Sequence, residues 1–590
     1  MKEYSFSYRW QFESVAAPED IWPLLSDTNR LFKDMNQPAI QKASLSHEKK
    51  KGFNELTYEQ MHRMDIWEEQ PYQWEFPYHI SVRRDYKTGY YKNLLFSIDI
   101  SRNKQSSKVT ISFSGVANGI TGYFFVKKEL SGRIKRRLKK IISEYDLAIS
   151  ENRLPALKSF GFKFGHHKKW EHLKNELTEI SSDSILSEYL INFLQSTDEL
   201  DMNKISPVHL AHLWKKPTHS VLELMLYAAK INILNYSWDL ICPECRNHHS
   251  STNRLFEITE PLFCNECDED VYLDFNQTIN LVFQPHPLVR KLSKKRYCLG
   301  NPGLKPDIKL HQYLYPGQKK FVKISLNEGN YRLCCDQIDA RVDAIVSSTG
   351  IENATIKFQD GENGVESVNL SYHPNLILEN NTDHPIYVYC EDRDNMFREI
   401  SASRATSLQL FRNLFPQELI RPGKKIAARG QTVLFTDLIN SSHLYHTNGD
   451  DLAIGQVMDH FEQFSNIILE ERGAIVKTIG DAVMAVFPNP FCAVKAFHRA
   501  QKFFKEQRPS ERHIQLKGGI HHGDCVAVTL NNRIDYFGTT VNIASRLVEH
   551  ARGGELVISS DAYKCSELRE FINEKRTKIK IHHFDLSLKG

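Results

Sequence analysis

Gln431-Thr-Val-Leu-Phe-Thr-Asp437-Leu438 is an apolar, β-branched run that ends on a carboxylate, and its reading decides the fold of the C-terminal part. A helical pattern follows, from Asp450-Asp451 through Val457, Phe461, Phe464 and Ile468 to Arg472-Gly473. Ala474-Ile-Val-Lys477-Thr-Ile-Gly480-Asp481-Ala-Val-Met-Ala-Val-Phe487 then predicts two strands folded about Gly480-Asp481. Asp437 therefore belongs at the end of one strand and Asp481 in the turn beside another. Two carboxylates at adjacent strand rims suit hard divalent cations, which take oxygen ligands. A pair of such metals suits in-line displacement at phosphorus. Taken singly, an aspartate at a strand end is more often a turn former or a helix cap than a ligand.

Further on stands Ile534-Asp535-Tyr-Phe-Gly538-Thr-Thr-Val-Asn542-Ile-Ala-Ser-Arg546. The glycine and two threonines suit a helix start, after which Asn542 and Arg546, four apart, share one face. An amide and a guanidinium so placed can hold a sugar and a migrating phosphoryl charge. In order and spacing, residues 426–590 resemble the catalytic domain of the class III adenylate/guanylate cyclases. The resemblance implies a ferredoxin-like βαββαβ fold working as a homodimer. It implies two Mg²⁺ or Mn²⁺ per active site on Asp437 and Asp481, and an adenine-reading pair, Lys477 and Asp535, for ATP. It further implies Asn542 on the ribose, Arg546 on the transition state, and Lys589 as the terminal phosphate-binding lysine. One departure is Asp524, which follows Ile520-His-His-Gly523 where some relatives carry a phosphate-contacting arginine. His521 and His522 face opposite ways as strand neighbours and read as structural.

The chain has 590 residues, more than one core organises, so about four domains are expected. A net charge of +4 with 25% charged residues does not suggest a nucleic-acid binder. Met1-Lys-Glu-Tyr lacks an apolar signal core. The most apolar helical stretch, Val221 to Ile241, is interrupted by Glu223, Lys230 and Asp239, so no membrane span is expected. Eleven cysteines, irregularly spaced, do not read as a disulfide framework, and a cytoplasmic location is expected.

Upstream, residues 1–150 resemble a START-like helix-grip domain: strand, helices, antiparallel sheet, long C-terminal helix. Such folds hold a small apolar ligand between sheet and helix, and the alternative is a domain that only packs. The long helix carries Arg133, Lys135, Arg136, Arg137, Lys139 and Lys140, read as a solvated face rather than a lipid-binding one. Residues 151–241 read as helical and winged-helix-like. In 242–270, Cys242-Pro-Glu-Cys245 and Cys264-Asn-Glu-Cys267 have the spacing of a zinc ribbon with one structural Zn²⁺. Residues 271–400 read as a β-sandwich, and 401–425 as a linker helix that either pairs with its twin or docks on its own chain. The overall class is multidomain α+β, and the expected activity is that of an adenylate cyclase. Its rivals are a guanylate cyclase and a non-catalytic scaffold using the fold as a receiver.

Overall fold

The computed structural model describes residues 4–586 apart from 43–53, 61–62, 131, 152, 156–166, 243–247, 260, 265–268, 277, 293–294, 296, 299–301, 339, 361–366, 395–398, 422, 440–449, 508–514 and 575–579. The chain divides into two compact units. One comprises 1–171, 189–203 and 290–398, and the other 172–188, 204–289 and 399–590.

In the first unit, strands Tyr4–Ser14, Ser106–Ala117, Tyr91–Asn103 and His79–Tyr86 form an antiparallel sheet in that order. The helix Arg133–Ser150 belongs to the same core, burying Ile134, Leu138, Ile141, Ile142 and Tyr145. Its six basic residues named above are all exposed. The sheet does not end with this domain. Gln73–Glu75 pairs with Ile308–Leu314, which brings the strands of 308–392 into one continuous 14-stranded sheet. The expected START-like domain and β-sandwich thus share a sheet. Cys298, Cys334, Cys335 and Cys390 are buried, and burial pushes the Cys298 thiol up to about 12.

The second unit departs from the sequence reading in three places. The apolar stretch after Val221 is not one helix: Thr218–Lys230 is helical, Asn232 turns the chain at φ +59°, and Leu234–Ile241 is a strand. Ile279–Pro285, taken as sandwich, pairs with that strand instead, Ile279 opposite Leu240. The linker helix is two short helices, Ala402–Thr406 and Gln409–Leu414, docked on their own chain. Phe411 and Phe415 are buried there, with the Phe415 ring 4.7 Å from that of Tyr236.

The C-terminal part contains β1 (Ile426–Leu438), α1 (Asp450–Glu470), β2 (Ala474–Ile479), β3 (Ala482–Phe487), α2 (Pro490–Gln507), β4 (Leu516–Leu530), β5 (Arg533–Phe537), α3 (Thr539–Glu549) and β6 (Leu556–Ile558). Its strand order is β2-β3-β1-β4-β5, with β6 parallel to β4. The first four strands have the 4-1-3-2 order, all antiparallel, of the expected ferredoxin-like fold. Leu434 and Leu438 of β1 and Val483, Ala485 and Phe487 of β3 share a core with Phe464 of α1 and Phe497 of α2. The opposite face receives α3. A Cβ on Gly519 would lie 2.5 Å from the Ala544 carbonyl oxygen, so α3 rests directly on the β4 backbone.

Candidate functional site

Because Leu434 and Leu438 point into the core beneath α1 and α2, alternation turns Val433, Phe435 and Asp437 to the other face. There β4 places Lys517 opposite Asp437, and Lys517 Nζ lies 2.9 Å from Asp437 Oδ2. The second carboxylate oxygen accepts the Leu438 N–H at 3.1 Å. On β3, Met484 points away from the same core, and Lys477 of β2 pairs with it, so Lys477 shares the face of Asp437.

Asp481 follows Gly480, whose φ of +64° suits a residue without a Cβ. Thr436 pairs with Val483, so Asp437 comes opposite Ala482, next to Asp481. Asp481 Oδ2 is buried without a hydrogen-bond partner, and so is Thr436 Oγ1. A buried carboxylate oxygen left unpaired is costly. The donor set of Asp437 and Asp481 therefore fits a hard divalent cation.

Lys477 Nζ donates to Asp535 Oδ2 at 2.8 Å, and Asp535 Oδ1 accepts the Tyr536 N–H at 2.8 Å. The Lys477 ammonium also sits 5.0 Å from the centre of the Phe537 ring. β2 and β5 lie at opposite ends of the strand order, so the β4–β5 hairpin must curl back across the face to bring these two groups together. A donor and an acceptor side by side present a nucleobase edge with one partner of each polarity.

Asn542 is exposed and Arg546 half-buried, both on α3. The helix begins beside Asp524, whose carbonyl oxygen accepts the Thr540 hydroxyl at 2.6 Å. The Asp524 carboxylate accepts the Gly430 N–H at 3.0 Å. Since Gly523 pairs with Gln431, Asp524 lies about 20 Å along the sheet from Asp437. The cation beside Asp437 is Lys517, which the sequence reading missed. Its only local signal is Leu516-Lys517-Gly518, and the strand pairing is what identifies it.

His521 and His522 take structural partners: His521 Nδ1 is 2.7 Å from Ser559 Oγ, and His522 Nδ1 is 2.9 Å from Thr432 Oγ1. Burial lowers the pKa of both imidazoles. With Asp524, Thr540 and Asp561 they line an open cleft of about 790 Å³. Lys589, Cys245 and Cys267 lie outside the described residues. Cys242 and Cys264 are buried together with Val271 in one small core. No helix among the described residues is long and apolar enough to cross a membrane.

Residues 427–586 match the adenylate and guanylate cyclase catalytic domain. They are a class III cyclase catalytic domain. Upstream of it, residues 169–297 match a family of unknown function, DUF5939. Similar proteins include receptor-type guanylate cyclase gcy-13 of Caenorhabditis elegans, 26% identical over 36% of this chain and 22% of its own length. An adenylate cyclase of Mycosarcoma maydis is 30% identical over 28% of this chain and 8% of its own. Adenylate cyclase 1 of Rhizobium meliloti is 27% identical over 26% of this chain and 28% of its own. The chain thus spans less than a third of each of these relatives. The crystal structure of the adenylyl cyclase CyaB from P. aeruginosa is 24% identical, covering 25% of this chain and 83% of that one, with a TM-score of 0.23.

Relatives of the cyclase domain include both adenylate and guanylate cyclases. Class III domains use divalent metals, and the orphaned Asp481 oxygen makes this testable before any turnover. Mn²⁺ binding to the nucleotide-free full chain, followed by the paramagnetic signal of the free ion, should weaken by about tenfold or more in Asp481→Asn, ~1.4 kcal/mol. It should tighten in Lys517→Met, where no ammonium competes for Asp437. Unchanged affinity in Asp481→Asn would mean that this oxygen holds no ion.

Proposed function

We propose that this chain is an adenylate cyclase, converting ATP to 3′,5′-cyclic AMP and pyrophosphate at sites shared by two copies of the cyclase domain. The observation that carries the reading is the contact of Lys477 with Asp535, 2.8 Å apart, with Lys477 on the face of Asp437. Adenine presents an acceptor at N1 and a donor at N6, which an ammonium and a carboxylate satisfy. Guanine presents an acceptor at O6 and a donor at N1, the reverse polarity.

Divalent cations, when bound, lower the pKa of the ribose 3′-hydroxyl and neutralise charge on the departing pyrophosphate. Asp437 and Asp481 hold them. Lys517 exchanges its carboxylate partner for a phosphate oxygen as the nucleotide arrives, because it already sits at the metal-binding carboxylate. Arg546 balances charge at the α-phosphoryl group, and Asn542 orients the ribose, so catalysis is mainly positioning and electrostatics. Lys589 takes the terminal phosphates in this reading. The upstream domains are regulatory, the START-like one among them with a small apolar ligand as its candidate effector.

The two-chain site follows the resemblance of residues 427–586 to the class III cyclase catalytic domain, which works as a homodimer. The start of α3 stands beside Asp524, about 20 Å from Asp437 in the same chain. Asn542 and Arg546 lie further along α3, which rests on β4 at Gly519, and in this reading they act on a nucleotide held by the partner's metals. A partner chain brings them together, and twofold symmetry then makes two equivalent sites. The upstream cysteines support a structural zinc. Cys242 follows strand Leu234–Ile241 and Cys264 ends Leu262–Cys264, and the two are buried in one small core.

Three measurements test this reading. Incubating the full chain with Mn²⁺ and either nucleotide should give cyclic AMP from ATP well above cyclic GMP from GTP, and Lys477→Glu with Asp535→Cys should shift that ratio by about tenfold or more toward GTP. A parental ratio in an active double variant removes the base-reading assignment. Asp437→Ala and Arg546→Ala should each be nearly inactive, yet mixing them should recover about a quarter of wild-type activity, since half the dimers are mixed and each keeps one intact site. No recovery despite demonstrated subunit exchange would place each site within one chain. Purified protein should carry one zinc per chain, and Cys264→Ser should lower soluble yield, because such a metal contributes folding energy. A metal-free, stably folded chain would rule the ribbon out.

A further inference from the structure

We propose that Arg412, in the segment ahead of the cyclase domain, is a positioning residue for base recognition. The inference rests on the assignment of Lys477 and Asp535 to the base made above. The two short helices of 401–420 contact both strands that carry this pair. On β2, the Gln409 N–H donates to the Gly473 carbonyl at 3.2 Å, and the Gln409 side-chain oxygen accepts the Ile475 N–H at 2.8 Å. Both bonds fall on the outer edge of a terminal strand, within four residues of Lys477.

On β5, Arg412 Nη1 donates to the Ile534 carbonyl at 3.1 Å, while Nε donates to the Thr406 carbonyl at 2.7 Å. The Thr406 hydroxyl lies 3.0 Å from the Tyr536 hydroxyl, and the guanidinium stands 6.0 Å over the Tyr536 ring. Ile534 and Tyr536 are the two neighbours of Asp535, and both are buried. Asp535 is therefore held from both flanks by the segment that also grips β2.

A role in packing alone fits this arginine poorly. Nη2 is buried without a hydrogen-bond partner, and no carboxylate lies within ion-pair distance among the described residues. A guanidinium satisfied by carbonyls and a ring is a costly way to fill space that a methionine would fill. Its planar fork instead fixes the separation of two carbonyls, one in the segment and one in β5. That separation sets how far Asp535 stands from Lys477, and hence the spacing of acceptor and donor that a base must match.

The test uses the full chain with Mn²⁺, measuring kcat and KM for ATP and for GTP. In Arg412→Met the ratio of kcat/KM for ATP to that for GTP should fall by about tenfold, chiefly through KM for ATP. Arg412→Lys keeps the charge but not the two-point hold, and should fall nearly as far. Thr406→Val, which removes only the contact to Tyr536, should move the ratio the same way by about threefold. A docking role alone predicts lower melting temperature and lower kcat for both nucleotides with the ratio unchanged. That outcome in folded Arg412→Met overturns the proposal. If Arg412→Met does not fold, an unchanged ratio in Thr406→Val overturns it. The Lys477→Glu, Asp535→Cys protein separates the two levels. If it shifts the ratio and the Arg412 and Thr406 variants do not, only the positioning inference falls. If it keeps the parental ratio, base reading itself is refuted.

Discussion

The register of β1 against β4 is the constraint on which the catalytic half depends. β1 is central, bonded to β3 on one side and β4 on the other, so Thr432 to Thr436 have their facing fixed twice. A slip of one residue would turn Asp437 into the core beneath α1 and α2 and bring Leu434 and Leu438 to the open face. The register is held by burial, since Leu434, Val433 and Ala428 have no exposed surface. Gly518 and Gly519 reinforce it from β4: the first lies beneath Phe497 of α2 and the second beneath α3. No other residue type fits both close approaches, so the helices lock the strand at one height.

The same register explains why a lysine and a carboxylate meet at a rim where a metal fits. Lys517 and Asp437 retain 24% and 31% of their side-chain exposure. A pair so exposed contributes about 0–1 kcal/mol of stability. The contact is therefore easily exchanged, and it keeps an otherwise lone carboxylate compensated. Asp481 is the contrasting case, because its oxygen is buried and unpaired.

What was legible in the sequence was whatever local pattern determines. Alternation and helical spacing gave the strands and helices of the cyclase domain, and glycine at 480 marked the turn bearing Asp481. Lys517 was not legible, because a lysine in an alternating strand looks the same whether it faces solvent or a carboxylate three strands away in sequence order. The pairing of Gln73–Glu75 with Ile308–Leu314 joins segments more than 230 residues apart, and no periodicity reports such a partner. Val221 to Ile241 misled for a different reason. An apolar run buried on all sides fits helix or strand alike, and Asn232 at positive φ, in an unremarkable sequence, divides it.

The segment between the upstream region and the cyclase domain shows how polar groups can define a mechanical connection. Glu418 is buried and accepts from Tyr236 at 2.7 Å, Leu255 N–H at 3.1 Å and Trp238 at 3.3 Å. Burial raises its carboxyl above the usual range while those donors pull it down. Two residues later, Ile420 exchanges hydrogen bonds with the Thr529 hydroxyl, its N–H donating at 2.8 Å and its carbonyl accepting at 2.6 Å. Thr529 belongs to β4, in the hairpin that ends at Asp535. Apolar docking tolerates sliding, whereas each of these bonds fails within about 1 Å of displacement. A shift of strand Leu234–Ile241 must therefore break the bonds of Glu418, break those of Thr529, or carry the β4–β5 hairpin with it. The last keeps every buried polar group satisfied, and so it is the cheapest of the three.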